Sequence, residues 1–255
     1  MVKRRDFLAL LAGTALAAPQ DAPSRPARFT RLFKSPEGAP NALETGSQGL
    51  WIGEQVSDRA FLVDWKGKVL QKVDTESSNT SGMAYGRGFL WMAANGKAVG
   101  RPSKPTDAQA GDVVKVDAKT GKTVARFTLP TGGGVHGLEY TDAGLWVTFL
   151  KASQLALVST KDFSVIRTIP VGLPRAHGLA WDKGAIWCAF TGNRVIQKLD
   201  AKDGTVLETL TWNPDDPETH GMCMHQGHLY GCDAGIAPGG KASGSSAAGW
   251  VFRID

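Results

Sequence analysis

Five stretches of this 255-residue chain align without a gap, and that repeat limits the fold more than any other feature. The register is set by Gly49-Leu50-Trp51, Phe89-Leu90-Trp91, Gly144-Leu145-Trp146, Ala185-Ile186-Trp187 and His228-Leu229-Tyr230. Ten residues before each aromatic stand Asn41, Ser81, His136, His177 and His220, a position termed here the blade start. Next comes Ala42, Gly82, Gly137, Gly178 or Gly221, and then Leu43, Met83, Leu138, Leu179 or Met222. A third segment follows each aromatic, as in Phe61-Leu62-Val63 and Val113-Val114, and it ends on Asp64, Asp117, Ser159, Asp200 or Asp255. Four of these lead through a turn to a fourth segment, as in Val69-Leu70 and Val206-Leu207. Asp suits such a turn because its carboxylate bonds nearby backbone, and glycine because it accepts positive φ.

Each unit therefore predicts four short strands rich in β-branched and aromatic residues. Units of ~40 residues built this way and repeated radially predict an all-β single β-propeller. The fifth unit reaches Asp255 with three strands, and residues 28–33 supply a strand of the missing kind. Pairing it with the last unit buries an open edge. The expectation is five four-stranded blades closed by the N-terminal strand, with the domain at 28–255. The glycine after the blade start fits innermost strands that crowd a narrow axis, where a backbone without Cβ approaches closely. The Leu or Met beside it and the second-strand aromatic are expected to pack between blades.

The N-terminus has a separate character. Lys3, Arg4 and Arg5 precede an apolar run ending in Ala15-Leu16-Ala17, the layout of a cleavable export signal over residues 1–17. Arg4-Arg5-Asp6-Phe7-Leu8 resembles the twin-arginine motif of bacterial export, with an ordinary secretory signal as the alternative. Residues 18–27 read as a linker. The apolar run is shorter than the ~20 residues a bilayer span needs, so no membrane span is expected. The expected product is soluble, exported to the periplasm or secreted, and monomeric. Net charge is +5, but the basic residues are scattered without a cluster, which argues against a nucleic-acid partner. Cys188, Cys223 and Cys232 allow one disulfide after export and one free thiol, with three possible pairings.

The run Val165-Ile166-Arg167-Thr168-Ile169, the start His177-Gly178-Leu179, the pair Ile186-Trp187 and the segment Asn193-Arg194-Val195-Ile196 resemble YVTN- and NHL-type propeller repeats. They are also similar to the blades of virginiamycin B lyase-like propellers. The resemblance covers essentially the whole chain after the signal, and its motifs are structural. Those lyases and the gluconolactonase-type propellers have more blades than the five counted here. Plant-type glutaminyl cyclases share the five-blade count, with no matching motif outside the architecture. The resemblance implies a small-molecule lyase or hydrolase.

Three of the five histidines occupy one pseudo-symmetric position. Loops entering the first strand and loops joining the second to the third open on one face, so the blade starts ring the channel mouth there. His136, His177 and His220 are candidate ligands for one divalent metal ion, since neutral imidazoles converging on an axis suit such an ion. An equally available reading is inherited copies bonding loop carbonyls, or metal-free ligand contact. Three residues beyond the start come Glu44, Ala84, Glu139, Ala180 and Cys223. Glu139 and Glu44 are candidate bases beside His177, or else structural glutamates bonding backbone. Asn41 and Ser81 complete the blade-start ring, and Glu54, Asn95, Lys151 and Asp233 close second strands near the rim as candidate ligand contacts. His225 and His228 are expected on the opposite face, in solvent.

From blade start to the third-strand Asp or Ser, blades one, three and four span 23 residues, while blade two spans 36 and blade five 35. The extra lengths, residues 97–110 and 235–249, are expected on the same face, as a lid or as tolerated insertions. No G-x-S-x-G elbow, Walker loop, H-E-x-x-H or dinucleotide fingerprint occurs. The reading is an exported propeller acting on a small-molecule substrate or ligand at a His-lined mouth. The rival is a non-enzymatic binding or scaffold propeller.

Overall fold

Each aligned unit folds as an antiparallel four-stranded sheet in the computed structural model, which describes residues 22–237 and 239–255. The expected export signal, 1–17, lies outside the described residues. Blade one comprises Pro40–Gly46, Gly49–Glu54, Arg59–Val63 and Val69–Asp74. Blade two comprises Thr80–Gly86, Phe89–Asn95, Gly111–Asp117 and Thr123–Thr128. Blade three follows with Leu138–Thr141, Gly144–Phe149, Gln154–Val158 and Val165–Pro170. Blade four has Ala176–Asp182, Ala185–Phe190, Val195–Asp200 and Val206–Thr211. Blade five has Met222–His225, His228–Cys232 and Trp250–Ile254, completed by Phe29–Lys34 from the N-terminal end.

The chain is a five-bladed β-propeller. Its closure is the one the repeat predicts, since Phe29–Lys34 pairs antiparallel with Trp250–Ile254. The stretch expected as linker, 18–27, also contributes structure: Ser24–Pro26 pairs parallel with Val206–Thr211 as a fifth strand on blade four. Among the described residues no helix is long and apolar enough to cross a membrane.

The repeat register is a pairing register. Glu44, Ala84, Glu139, Ala180 and Cys223 lie opposite Trp51, Trp91, Trp146, Trp187 and Tyr230 respectively. Five hydrophobic clusters fill the seams between adjacent blades. Each holds one of Leu43, Met83, Leu138, Leu179 and Met222, and each takes one of the aromatics. Turn aspartates act as expected: Asp64 accepts the Lys66 and Lys68 amides, and Asp117 those of Lys119 and Thr120.

The blade-start glycines answer a packing demand. A Cβ on Gly82 would sit 1.7 Å from the His136 carbonyl oxygen, and one on Gly178 2.2 Å from that of His220. Neighbouring inner strands thus touch backbone to backbone, which brings five blade starts within reach of one another. The cysteines correct an expectation. All three are free and buried, and Cys188 is in the blade three–four core. Burial pushes their thiols up, which makes them poor nucleophiles.

Candidate functional site

The five inner strands and the residues leading into them, His136 and His220 among these, deliver Asn41, Ser81, His136, His177 and His220 to one end of the central channel, where they line a cavity of about 320 Å³. These side chains are 1–6% exposed. Gln55, Asn79, Asn95 and Arg175 complete the polar wall. Val99 from the blade-two insertion and Ile236, Ala237, Gly239 and Gly240 from the blade-five insertion cover it. The insertions meet there, since a Cβ on Gly240 would contact Val99 at 3.6 Å. Blade two's insertion is fastened rather than loose. Arg101 bridges the buried carboxylate of Asp58, 2.6 Å away in blade one, and Asp107 at 2.7 Å.

Hydrogen bonds link the first three blades on this face. Asn41 Nδ2 donates to the Thr80 carbonyl and to Ser81 Oγ. Gln55 donates to Asn79, and Asn79 to the Asn95 carbonyl. Asn95 Oδ1 accepts the Val135 amide, which turns its Nδ2 toward His136 Nε2 at 3.0 Å. His136 Nε2 is then an acceptor, and its neutral ring carries the proton on Nδ1. The imidazoles pack edge to face, His136 on His177 at 4.1 Å and His177 on His220 at 4.9 Å between centroids. Burial holds His136 near a pKa of about 3, with Arg175 and His220 adding to the effect. His177 is also pushed well down, by burial first and then by His136, His220 and Arg175. His220 differs. Burial lowers it too, but Asp233 and Glu218 oppose that shift.

The expected metal geometry is not met. A site for zinc or a similar ion needs three ligand atoms facing one point ~2 Å away. One nitrogen of His136 is committed to Asn95, and the rings stand edge to face instead of sharing a focus. Among the described residues no three His, Cys, Asp or Glu side chains are arranged to hold a metal ion.

Other candidates are corrected by their surroundings. Glu44 and Glu139 are buried, but they do not line the cavity. They sit three residues further along their strands, ~10 Å down the channel at the usual strand rise. There Glu44 receives bonds from Thr45, so neither glutamate is placed as a base for the histidines. Burial raises Glu44 to about 7, and burial together with Glu44 raises Glu139 well above the ordinary range. Glu54 accepts the Glu37 and Ala39 amides, and Asp233 accepts the Glu218 and Gly235 amides and the Ser245 hydroxyl. Both carboxylates organise rim loops instead of lining the cavity. Lys151 is exposed in the short 3-10 turn after the second strand of blade three, outside the pocket wall. His225, expected in solvent, stacks on Trp65 at 4.0 Å, while His228 is exposed beside Asp255. Asn41, Ser81, Asn95 and the three histidines are brought together as the sequence suggested. Gln55, Asn79 and Arg175 were missed. Asn79 and Arg175 each stand two residues before a blade start with positive φ, 49° and 58°, but the same position holds Ala39, Gly134 and Glu218 in the other blades, so no shared residue type marked it in the sequence.

No family model matches the chain, and no curated protein sequence does. Solved structures do match. A Myxococcus xanthus glutaminyl cyclase superposes with a TM-score of 0.69 at 12% identity, over 92% of this chain and 98% of that one. A streptogramin B lyase superposes with a TM-score of 0.51 at 18% identity, over 87% of this chain and 66% of that one. What the chain shares with both is the propeller fold, in keeping with the propeller-repeat likeness of its sequence.

Proposed function

We propose that this propeller is an exported small-molecule enzyme of the lyase or hydrolase kind, working in the His-lined pocket with His220 as proton acceptor. The observation that carries the reading is the convergence at one channel end of three histidines with side chains whose polar atoms are left unpartnered. Buried and without a hydrogen-bond partner are Asn41 Oδ1, Gln55 Oε1, His136 Nδ1 and His177 Nδ1. Buried polar atoms are ordinarily satisfied, so a group of them in one pocket marks a place for a polar ligand. The two structural neighbours carry enzyme names, a cyclase and a lyase, which supports the reading by analogy of fold.

His220 is the base the chemistry favours. A general base must hold a proton during the reaction, and Glu218 and Asp233 stabilise the resulting imidazolium. His220 Nδ1 lies 3.2 Å from the Glu218 carbonyl and 3.4 Å from the Ala234 amide, which together fix the ring. In the tautomer whose Nδ1–H donates to the Glu218 carbonyl, Nε2, 4.0 Å from the Glu218 carboxylate, is the nitrogen that takes the proton. His136 and His177 stay neutral and orient substrate by hydrogen bonds. No step is routed through a metal.

The test is a turnover screen of the purified protein against uncharged esters and lactones, followed by proton release. His220→Ala should lower kcat at least a hundredfold, the usual contribution of a positioned proton acceptor being about 10²–10⁴. His225→Ala, on a ring stacked against Trp65, should leave turnover unchanged. Turnover that survives His220→Ala rejects the mechanism. Saturable binding without turnover assigns the protein to the rival class of binding propellers.

A further inference from the structure

Arg175, an exposed residue, is the one cation of the pocket wall, whose lining includes neither Asp nor Glu; Glu218 joins it in lining the adjoining smaller cavity. Among the described residues, none of the ion pairs involves Arg175. Its backbone is in the left-handed region at φ 58°, a conformation that suits glycine or asparagine and is unfavourable for a long side chain. Two residues before the other four blade starts stand Ala39, Asn79, Gly134 and Glu218, of which Asn79 shares the positive φ. Arg87, Lys183 and Arg194 share that backbone conformation at turns outside the pocket, so what sets Arg175 apart is its place on the cavity wall without an ion pair. The charge also reaches the hub, since it lowers all three histidines.

The rest of the wall complements a molecule bearing both an anion and hydroxyls. His136 Nδ1 carries an unpartnered N–H, given its Nε2 bond from Asn95. Asn41 Oδ1 and Gln55 Oε1 are unpartnered acceptors. The cavity of about 320 Å³ is at the small end of the ~300–1,000 Å³ usual for ligand sites, which favours a compact molecule.

We propose that the pocket takes a small hydroxy-carboxylate, its carboxylate paired by the Arg175 guanidinium and its hydroxyls donating to Asn41 and Gln55. This rests on the pocket being the functional site and names its ligand class. A guanidinium fork matches a carboxylate with two parallel bonds, and it matches phosphate as well, so the test separates the two.

The experiment is calorimetric titration at pH 7 and low salt with malate, tartrate, malamide and inorganic phosphate. Wild type is compared with Arg175→Gly and Arg175→Lys. Malate or tartrate should bind wild type, at least tenfold more weakly to Arg175→Gly and with intermediate strength to Arg175→Lys. Glycine relieves the positive φ, so Arg175→Gly should melt no lower than wild type, and weaker binding then reports the lost guanidinium instead of a damaged fold. Equal binding of malate to wild type and Arg175→Gly overturns the assignment, as does failure of both acids to bind wild type. Phosphate or malamide binding as tightly as malate overturns it too. The screen with uncharged esters and lactones decides the enzyme reading independently, so the ligand class can fail while that reading stands.

Discussion

Glu44 and Glu139 hold a proton balance that ties stability to pH. Both carboxyls are buried in the channel and raised, Glu44 to about 7 by burial and Glu139 well above the ordinary range by burial and Glu44. The folded chain therefore keeps protons that the unfolded chain has released above the ordinary Glu range near 4.5. Stability present at low pH is lost as pH rises from there through about 7. The loss is on the order of 3 kcal/mol for Glu44 alone. The lowered histidines act in the opposite sense over part of the same range, so the carboxyl contribution is read from a variant: between pH 5 and pH 8 the urea midpoint of Glu139→Gln should fall less, or rise more, than that of wild type. A pH dependence unchanged in Glu139→Gln contradicts the burial argument. At this scale the sequence was only partly legible. The histidines stood out because repetition placed them in one register. Arg175 and Gln55 were hidden because they lie in loops whose backbone path the repeat does not set. Glu54 and Asp233 misled because the partners of their carboxylates are backbone amides of distant loops, which no side-chain pattern reveals.

Blades were legible almost strand by strand, because alternation, turn chemistry and the aromatic register agree. The insertions were legible as extra length on the correct face, but not in their anchoring. Arg101 draws together two aspartates, one of them in blade one, and a pairing across blades leaves no local trace. The inner strands carry the sharpest prediction for an element. Gly178→Ala would drive a methyl group to 2.2 Å from the His220 carbonyl oxygen, with backbone rather than a flexible side chain in the way. The blades must separate, at a cost of about 3 kcal/mol. A thermal melt of Gly178→Ala should fall well below wild type, whereas Gly192→Ala, with nothing within 4 Å of the added carbon, should melt close to it. Comparable melting of the two variants would mean that the ring adjusts freely.

The whole molecule is a ring with one seam not spanned by a turn. Every other fourth strand is tethered to its third by a short connection, whereas Phe29–Lys34 meets Trp250–Ile254 from the far end of the chain. Arg28 and Asp255 exchange both backbone hydrogen bonds at the end of that seam. An outer strand without a tether opens at lower free energy than its tethered counterparts. Hydrogen exchange at Phe29–Lys34 should therefore outpace exchange at Val165–Pro170, the tethered outer strand of blade three. Equal protection would show that side-chain packing, not the missing turn, sets the order of opening. Closure was legible in the sequence because a strand without a partner at one end matched a blade lacking one at the other.

That seam also orders events during synthesis. The strand Phe29–Lys34 leaves the ribosome early and waits, with Phe29 and Phe33 uncovered, until Trp250–Ile254 has been made. His220 and Asn41 belong to the two blades that flank this last closure, so the pocket has no complete wall in any shorter nascent chain. Ligand capture by such chains, released at increasing lengths, would then mark the moment the circle shuts, while strand content would already have risen blade by blade.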